Sequence, residues 1–469
     1  MADKHDDMFA SDSLSQGALS ATAEDMNPAL AGATKLFNMG GGLTLPFEYG
    51  GVENEILGYR ESAWIGTTLM LAGIYDIVGP DACKFLESIC VNDFSKLKYT
   101  GLRHAVICND KGQILTDGVV IRIAEDRYRT YWCNPPIQYL CEASDMDVHG
   151  EDMTGTEYFI QVQGEKSLEI LEDAFQADLH DIKFAKHRTA DMDGHTVRII
   201  RLGMSGNLAY EIHGPMADYP FVYNKVWESG QKFGARKLGM HAYNEFNHTE
   251  AGFPNIHLHY PLPWFESSEG MTAWMYANPQ QSMYNINREL GGSSQDIQER
   301  FVTPYDVGWG FLVKFNHEFT GRAALEKIAA NPSRAIATLE WDPEDVGKVF
   351  AAMNTRGGER VDDIAALSDF DVQYNTFHGT CRYVANEVYC GDEKVGITSG
   401  RIHSYAYNSM ISLAFIRPDL AVEGTELTIL WGTPGTKQMK VRAKVARYPY
   451  NGDLVRNEDR DVEDIPHRF

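Results

Sequence analysis

The chain has 469 residues, of which 43% are apolar and 23% are charged, so we expect several globular domains and not a disordered chain. Its 66 acidic and 42 basic residues give a formal charge of −24, which repels phosphate backbones and argues against nucleic-acid binding. No stretch approaches ~18 consecutive apolar residues, and the acidic N-terminus lacks the basic start of a secretory signal. The composition therefore predicts a cytoplasmic protein without a membrane span.

Residues 1–35 are rich in Ser, Ala and Asp without a sustained apolar period, which predicts a mobile N-terminal arm. The sequence that follows alternates between apolar strand patterns and amphipathic helix patterns, and the turn at 109–112 indicates a β-hairpin. We predict helices at 81–90, 167–175, 217–233 and 321–330, and strands at 104–109, 114–123, 127–132, 158–163, 196–202 and 209–213.

Beyond Asn331 and Pro332 the pattern changes to short strands separated by Gly, Asp and Asn turns. The strands predicted here are 336–341, 395–400, 410–416, 426–431 and 441–445. Such regular spacing is typical of a small β-barrel or sandwich. We therefore predict a unit of two α/β subdomains at 36–330 and a barrel-like domain with an acidic tail at 331–469.

Several common functional motifs are absent from the sequence, among them the phosphate-binding P-loop, the zinc motif H-E-x-x-H and the nucleophile elbow G-x-S-x-G. The seven cysteines include no C-x-x-C pair, which argues against a zinc ribbon and a thioredoxin-type site. His257 and His259 could share a metal, but no acidic or cysteine partner stands at ligand spacing, so solvated or structural histidines are favoured. We therefore expect no metal.

Three acidic residues stand in apolar surroundings: Asp117 and Glu211 within predicted strands, and Glu250 next to Ala-Gly-Phe. An unpaired buried charge costs several kcal/mol, so each of these acids must be hydrogen-bonded, neutral or used in function. A structural partner such as Arg103 or Arg201 explains each acid taken alone as well as a functional role does.

Five short segments occur in the same order as in a known family and span about residues 40 to 445. They are 47–55, 112–117, 162–164, 206–212 and 308–325, and they resemble the glycine-cleavage T-protein (aminomethyltransferase) superfamily. Within it, segments 303–322 and 424–432 and the pair Ala242-Tyr243 are most similar to the tetrahydrofolate-dependent aromatic O-demethylases of the vanillate/syringate type.

The resemblance implies an α+β fold in which three subdomains form a T-protein-type ring around a central hole for folate, with a C-terminal β-barrel. By position, it implies that Glu211 binds the amino-pyrimidine edge of the pterin and that Gln163 completes the pterin contacts. It also places Asp117 near N5 and N10 of tetrahydrofolate. Phe253 and Trp132 match positions that line the pocket.

On the substrate side, the resemblance assigns Tyr243 to the scissile methyl ether. Leu71 and Asn134 stand where the vanillate-type enzymes carry basic residues, so a substrate carboxylate would lack its usual partners. The sequence therefore favours a neutral methoxyarene, or an acid held by another base such as His248 or His257.

These assignments predict a folate-dependent enzyme that moves the methyl group of a small methoxylated compound to N5 and releases a phenol. Phenols ionise near pH 10, so a tyrosine is matched to protonating the leaving oxygen. A demethylase of a sulfonium or N-methyl compound and a non-catalytic folate-binding protein are the alternatives. The sequence leaves the oligomeric state open.

Overall fold

The structure, a computed structural model, describes residues 27–38, 44–256, 258–278, 287–369, 374–375 and 380–469. His257 and most of the predicted N-terminal arm lie outside these residues, as does the side chain of Leu71. We number the described strands in chain order: β1 (Lys35–Asn38), β2 (Thr44–Glu48), β3 (Trp64–Gly66), β4 (Ile74–Val78), β5 (Leu102–Cys108), β6 (Ile114–Ala124), β7 (Arg127–Tyr131), β8 (His149–Asp152), β9 (Glu157–Gln163), β10 (His187–Met192), β11 (His195–Ile200), β12 (Ala209–Pro215), β13 (Arg236–Leu238), β14 (Asn287–Gly291), β15 (Ala335–Trp341), β16 (Tyr374–Asn375), β17 (Thr380–Cys390), β18 (Glu393–Ser404), β19 (Ser409–Ile416), β20 (Glu426–Trp431) and β21 (Met439–Ala446).

The helices are mostly short and lie between the strands. The α-helices are Val52–Ile56, Gly58–Glu61, Ala82–Ile89, Pro136–Glu142, Ser167–Phe175, Tyr219–Lys232, His248–Ala251, Trp264–Ser267, Glu269–Ala277, Ile297–Arg300, Arg322–Ala330 and Pro343–Met353, and a π-helix covers Ala242–Asn247. Short 3₁₀ turns cover Pro28–Leu30, Thr68–Leu71, Met216–Asp218, Gly310–Leu312, Pro418–Leu420 and Val462–Asp464. None of the helices in the described ranges has the length and apolar character needed to cross a bilayer.

Two large sheets and the two-stranded antiparallel pair β1–β2 form the first part of the chain. A five-stranded sheet has the order β5-β6-β7-β4-β8, and a six-stranded sheet has the order β10-β11-β12-β9-β3-β13. The predicted hairpin is the β5–β6 pair, in which Val106 lies opposite Asp117. Its turn contains Gly112 at a φ of 76°, a conformation that favours glycine.

The C-terminal strands close into a barrel. Strands β17, β18, β19, β15, β21 and β20 follow one another, and β20 pairs again with β17. Strand β14 adds to β17 in parallel, so a strand from before residue 331 joins this sheet. The α+β class with a C-terminal β-barrel is thereby confirmed, while the exact domain bounds stay a prediction.

One face of the six-stranded sheet packs against two long helices. Ser167–Phe175 and Tyr219–Lys232 cover this face, and Pro220 falls in the first turn of the second helix, where its missing N–H costs little. The core between them contains Tyr158, Ile160, Val162, Tyr210 and Ile212, all of them fully buried. Since side chains alternate along a strand, the odd-numbered residues of β9 and β12 face the other way.

A buried ion-pair network in the five-stranded sheet gives a stability prediction. Asp76 is 0% exposed and accepts hydrogen bonds from Arg127 at 2.6 Å and from Arg129 at 2.6 and 2.8 Å. Asp76→Ala would remove the buried carboxylate that the two guanidinium groups share and leave Arg127 with Glu151 and Arg129 with Glu157 only, so we expect the free energy of unfolding in urea to fall by about 3 kcal/mol. The matched control is Asp126→Ala in the exposed turn before β7, where we expect a change of about 0.5 kcal/mol or less. Equal values for both variants would contradict this account of the network.

Candidate functional site

A row of polar side chains lies on the face of the six-stranded sheet that turns away from its helices. Glu211 on β12 lies opposite Gln161 on β9, and Gln163 lies between Ala209 and Trp64 of the neighbouring strands. Because strand residues alternate between the two faces, the side chains of Glu211, Gln161, Gln163 and Trp64 share one face. We call these four residues the polar row.

The polar row has hydrogen-bonding capacity that the described part of the chain does not use. The carboxylate of Glu211 is buried, and His213 Nε2 lies 3.4 Å from it, beyond good hydrogen-bond geometry. Gln161 Nε2, Gln163 Nε2 and Trp64 Nε1 are buried without a well-aligned partner among the described residues. Burial raises the pKa of Glu211 to about 8. Buried polar atoms are nearly always paired in proteins, so this set is suited to a ligand.

The two glutamines are oriented by their neighbours. Gln161 Oε1 accepts a hydrogen bond from Thr68 Oγ1 at 2.8 Å, and Gln163 Oε1 accepts one from the Ser205 backbone N–H at 3.1 Å. Each amide oxygen is therefore engaged, and each NH₂ group remains to donate. The site thus offers one carboxylate acceptor and two fixed amide donors in neighbouring positions.

Tyr243 lies beside the polar row. It belongs to the π-helix Ala242–Asn247, a helix type that is frequent at functional sites. Its ring packs edge-on against Trp64, with 5.9 Å between ring centroids. Burial and the charge of Glu211 raise the pKa of its hydroxyl, and Gln161 opposes the shift, so the three groups interact. A hydroxyl with a raised pKa stays protonated at neutral pH and can donate a hydrogen bond, but it is a weaker acid than a free tyrosine.

Asp117, His104 and Tyr260 form a second group of polar side chains. Its Oδ2 lies 2.8 Å from His104 Nε2, and its Oδ1 accepts a hydrogen bond from the Tyr260 hydroxyl at 3.3 Å. The proposed structural partners Arg103 and Arg201 are wrong for this acid: Arg103 donates to the carbonyl of Leu102, and Arg201 to groups at 457 and 460. Asp117 is therefore held by a histidine and a tyrosine.

His248 connects the two groups. Its ring lies 5.2 Å from the ring of Tyr243 and 5.9 Å from the ring of Phe253, measured between centroids. Its Nδ1 lies 2.9 Å from the carbonyl oxygen of Phe253, which can only accept, so Nδ1 carries the proton. Burial lowers the pKa of His248 to about 4. A neutral ring with its N–H engaged offers an acceptor and no charge to a ligand.

Phe253 and Trp309 pack around His104. The ring of Phe253 lies 5.5 Å from His104 and 5.1 Å from Trp309, so the three rings form one cluster. The predicted pocket residue Phe253 therefore stands next to Asp117 and His248.

Trp132 and Asn134 lie on the side of the five-stranded sheet. Trp132 packs against an apolar cluster that contains Phe159, a β9 residue on the same face as Gln161. The side chain of Asn134 lies against Gly73, and its buried Oδ1 has no partner in the described chain. The backbone of Leu71 ends the 3₁₀ turn Thr68–Leu71, and its side chain lies outside the described part of the chain.

Glu250 and His259 have structural partners. Glu250 accepts hydrogen bonds from Tyr59 at 3.0 Å and from Ser404 at 2.6 Å, so this acid is satisfied within the fold. His259 bonds to Thr249 through Nε2 and to the backbone of Asn255 through Nδ1, which leaves no nitrogen for a metal. The sequence-based preference for a structural histidine at 259 agrees with these contacts.

The sequence reasoning missed several residues of the site. Gln161 could have been predicted, because it stands two residues before Gln163 on the same strand and therefore lies on the same face of the sheet. His104 could have been predicted in the same way, because it stands two residues before Val106, which lies opposite Asp117 in the predicted hairpin. Tyr260 and Trp309 reach the site from distant loops, and no local pattern marks them.

Comparison with known proteins identifies the family. The family model described as GCVT N-terminal domain matches residues 30–258. A sesamin methylene transferase from Sinomonas sp. is 48% identical over 427 residues, which cover 90% of this chain and 93% of that protein. The chain belongs to the GCVT family.

Two further matches share less sequence with the chain. A syringate O-demethylase from Sphingobium sp. is 28% identical over 442 residues, covering 87% of this chain and 92% of that protein. The glycine cleavage system aminomethyltransferase T from Bartonella henselae superposes with a TM-score of 0.63 at 17% identity, covering 91% of this chain and 96% of that one. The predicted family resemblance and T-protein-type fold are confirmed. The GCVT relatives are enzymes that transfer one-carbon groups.

Proposed function

We propose that this chain is a tetrahydrofolate-dependent transferase that breaks a carbon–oxygen bond in a small aromatic donor and passes the carbon to the folate. The observation that carries the proposal is the unsatisfied polar row beside Tyr243: one buried carboxylate and two buried amide donors next to a protonated phenol. The aminomethyltransferases and the syringate O-demethylase among its relatives support the folate.

The polar row fits a reduced pterin. The amino-pyrimidine edge of a pterin carries N–H donors beside a carbonyl acceptor. Glu211 would accept from the N–H groups in a bidentate pair, and the amides of Gln161 and Gln163 would donate to the acceptor atoms. When bound, tetrahydrofolate supplies N5 as the nucleophile for the transferred carbon.

The residues around the reacting carbon have separate tasks. Tyr243 would hold its hydroxyl proton for the oxygen that leaves, because an unassisted aryloxide is a poor leaving group. Asp117 would act as a hydrogen-bond acceptor near the reacting nitrogens, as its position in the family implies. The buried aromatic walls exclude water and hold donor and acceptor in one alignment.

The donor that we favour carries its carbon as a methylene bridge between two oxygens. The support is the sesamin methylene transferase, which shares 48% of its residues with this chain over 90% of the length. Loss of the first oxygen needs a proton, and the second oxygen stabilises the positive charge on carbon, so one well-placed acid suffices for the first C–O cleavage. The second C–O bond would break as well, and the products would be 5,10-methylenetetrahydrofolate and a catechol, whose two hydroxyl protons balance the N–H protons lost from N5 and N10.

A methyl ether is the second candidate donor. The syringate O-demethylase supports it at 28% identity, and the same Tyr243 would protonate the leaving oxygen. The folate product would then be 5-methyltetrahydrofolate together with a phenol. For either donor, the neutral His248 and the missing bases at 71 and 134 favour an uncharged aromatic compound over a carboxylate.

The test is incubation of the purified protein and tetrahydrofolate with methylenedioxyarenes, methoxyarenes, sulfonium compounds and N-methylamines. We expect the methylenedioxyarenes to yield 5,10-methylenetetrahydrofolate by mass spectrometry. Formation of 5-methyltetrahydrofolate from methoxyarenes alone would establish the second candidate. Transfer only from sulfonium or N-methyl donors, or folate binding without transfer from any donor, would overturn the proposal.

The pKa of Glu211 predicts how folate affinity depends on pH. In the free protein burial raises this pKa to about 8, whereas bound N–H donors favour the ionised carboxylate and lower it. Below pH 8, binding must therefore release a proton, and we expect the Kd to rise up to about tenfold per pH unit between pH 8 and pH 6. Above pH 8 the Kd should level off. Titration of tryptophan fluorescence at four pH values measures it, and a flat Kd from pH 6 to 8 would be inconsistent with this role.

A further inference from the structure

Asp117 is held at both carboxylate oxygens, one by Tyr260 and the other by His104. Because a carboxylate oxygen accepts, His104 Nε2 carries the proton in their 2.8 Å contact. We propose that His104 is a positioning residue of the reaction centre, which fixes the orientation of the Asp117 carboxylate towards the reacting nitrogens of the folate. The inference rests on the proposed function, since it needs Asp117 at that centre.

The ring of His104 is itself immobilised. Trp309 meets it edge-on, with 4.8 Å between ring centroids and an interplanar angle of 78°, and Phe253 lies 5.5 Å away. Phe253 and Trp309 also contact each other. A side chain enclosed by two packed aromatic rings has few rotamers left, so its N–H can direct a partner with little entropy cost.

The strand pairing explains why these residues meet. Val106 on β5 lies opposite Asp117 on β6, and His104 is two residues before Val106 on the same strand. His104 is therefore the diagonal neighbour of Asp117 on one face of the sheet, within reach of a long side chain. The backbone register thus fixes the distance between the two groups.

The pair lies at the edge of the site and not in the solid core. The side chain of His104 is 20% exposed and that of Asp117 is 13% exposed, whereas Tyr260 is 1% exposed. The carboxylate can therefore be reached by a ligand while its two hydrogen bonds stay sheltered from bulk water. Such bonds are stronger than exposed ones and hold geometry better.

Kinetics of four variants test the proposal on the donor that the panel selects. His104→Leu removes the N–H, and we expect kcat to fall about tenfold or more while the folate Kd changes by less than about threefold. His104→Gln keeps an N–H near the place of Nε2 and should recover most of the lost kcat. Asp117→Asn and the double variant His104→Leu/Asp117→Asn should have similar kcat values, because His104 acts through Asp117.

Two kinetic outcomes would overturn the proposal. If the losses of His104→Leu and Asp117→Asn multiply in the double variant, His104 does not act through Asp117. If His104→Gln is as slow as His104→Leu, the N–H is not what matters. Equal melting temperatures of the variants and the wild type serve as the folding control.

A measurement without turnover separates this inference from the proposed function. In ¹⁵N spectra of the histidine-labelled resting protein, Asp117→Asn should shift the Nε2 signal of His104 and leave that of the exposed His149 unchanged. An unchanged His104 signal would refute the inference whether or not a donor is found. A shifted signal in a protein that transfers carbon from no donor would refute the proposed function and leave the Asp117–His104 contact established.

Discussion

Glu211→Gln is expected to weaken tetrahydrofolate binding by roughly 100-fold or more. Glutamine keeps the shape of glutamate but replaces one acceptor oxygen by a donor, so the bidentate pair with the pterin edge is lost. Hydrogen bonds to a charged group are worth about 1.5–3 kcal/mol each, and two of them account for a change of this size. Isothermal titration calorimetry at pH 8 measures it.

The same variant should not unfold the protein. The carboxylate of Glu211 is buried without a hydrogen bond from the described chain, and burial raises its pKa from 4.5 to about 8. A raised carboxyl pKa means that the fold favours the protonated form, so this group lowers stability as the pH rises from about 4.5 upwards. Glutamine stays neutral, and the melting temperature above pH 8 should therefore equal or exceed that of the wild type. The exposed Glu125→Gln is the charge-matched control for binding.

An unchanged folate Kd in Glu211→Gln would exclude the polar row as the binding site of the pterin, whichever donor the enzyme uses. A lowered melting temperature at pH 8.5 would show instead that the carboxylate has a stabilising partner. The two readings, affinity and stability, thus test the functional role and the electrostatic role of Glu211 separately.

Tyr243→Phe is expected to lower kcat by roughly 100-fold or more with a donor whose carbon is bonded to oxygen. The variant removes the proton for the leaving oxygen, and general acid catalysis typically contributes 10²–10⁴-fold. The folate Kd should change little, because the pterin contacts belong to Glu211, Gln161 and Gln163. Single-turnover rates with saturating folate measure the chemical step.

Tyr210→Phe is the matched control for this variant. Tyr210 precedes Glu211 on β12, is fully buried on the opposite face of the sheet, and has a hydroxyl without a hydrogen-bond partner in the described chain. Loss of the Tyr210 hydroxyl should leave kcat unchanged. A sulfonium or N-methyl donor needs no acid, so Tyr243→Phe should be nearly silent with such a donor. A silent Tyr243→Phe with a methylenedioxyarene or a methoxyarene would exclude the tyrosine as the proton donor.

The parts of the fold that depend on local patterns were predictable. The alternation in Tyr158–Gln163 and Ala209–His213 fixes two central strands, and the turn at Gly112 fixes the first hairpin. The spacing of its strands predicts the barrel but not β17, and the closure between β17 and β20 pairs residues 39 to 43 positions apart. Such a pairing depends on tertiary contacts that no local window contains.

In the candidate site, too, some residues were predictable from the sequence, whereas others depend on tertiary contacts. The family resemblance provided Glu211, Gln163, Asp117 and Tyr243, and the structure brings Glu211 and Tyr243 next to Gln161. The neighbours that hold these groups come from other elements and were not predictable from spacing. The sequence predicts an arginine as the structural partner of Asp117, whereas the strand register places a histidine there.

The most direct test of the account is a crystal structure of the protein with bound tetrahydrofolate. We predict that the amino-pyrimidine edge of the pterin contacts Glu211 together with the amides of Gln161 and Gln163, and that the Tyr243 hydroxyl faces the bound N5. A pterin bound elsewhere, or a Tyr243 side chain turned away from it, would contradict the account.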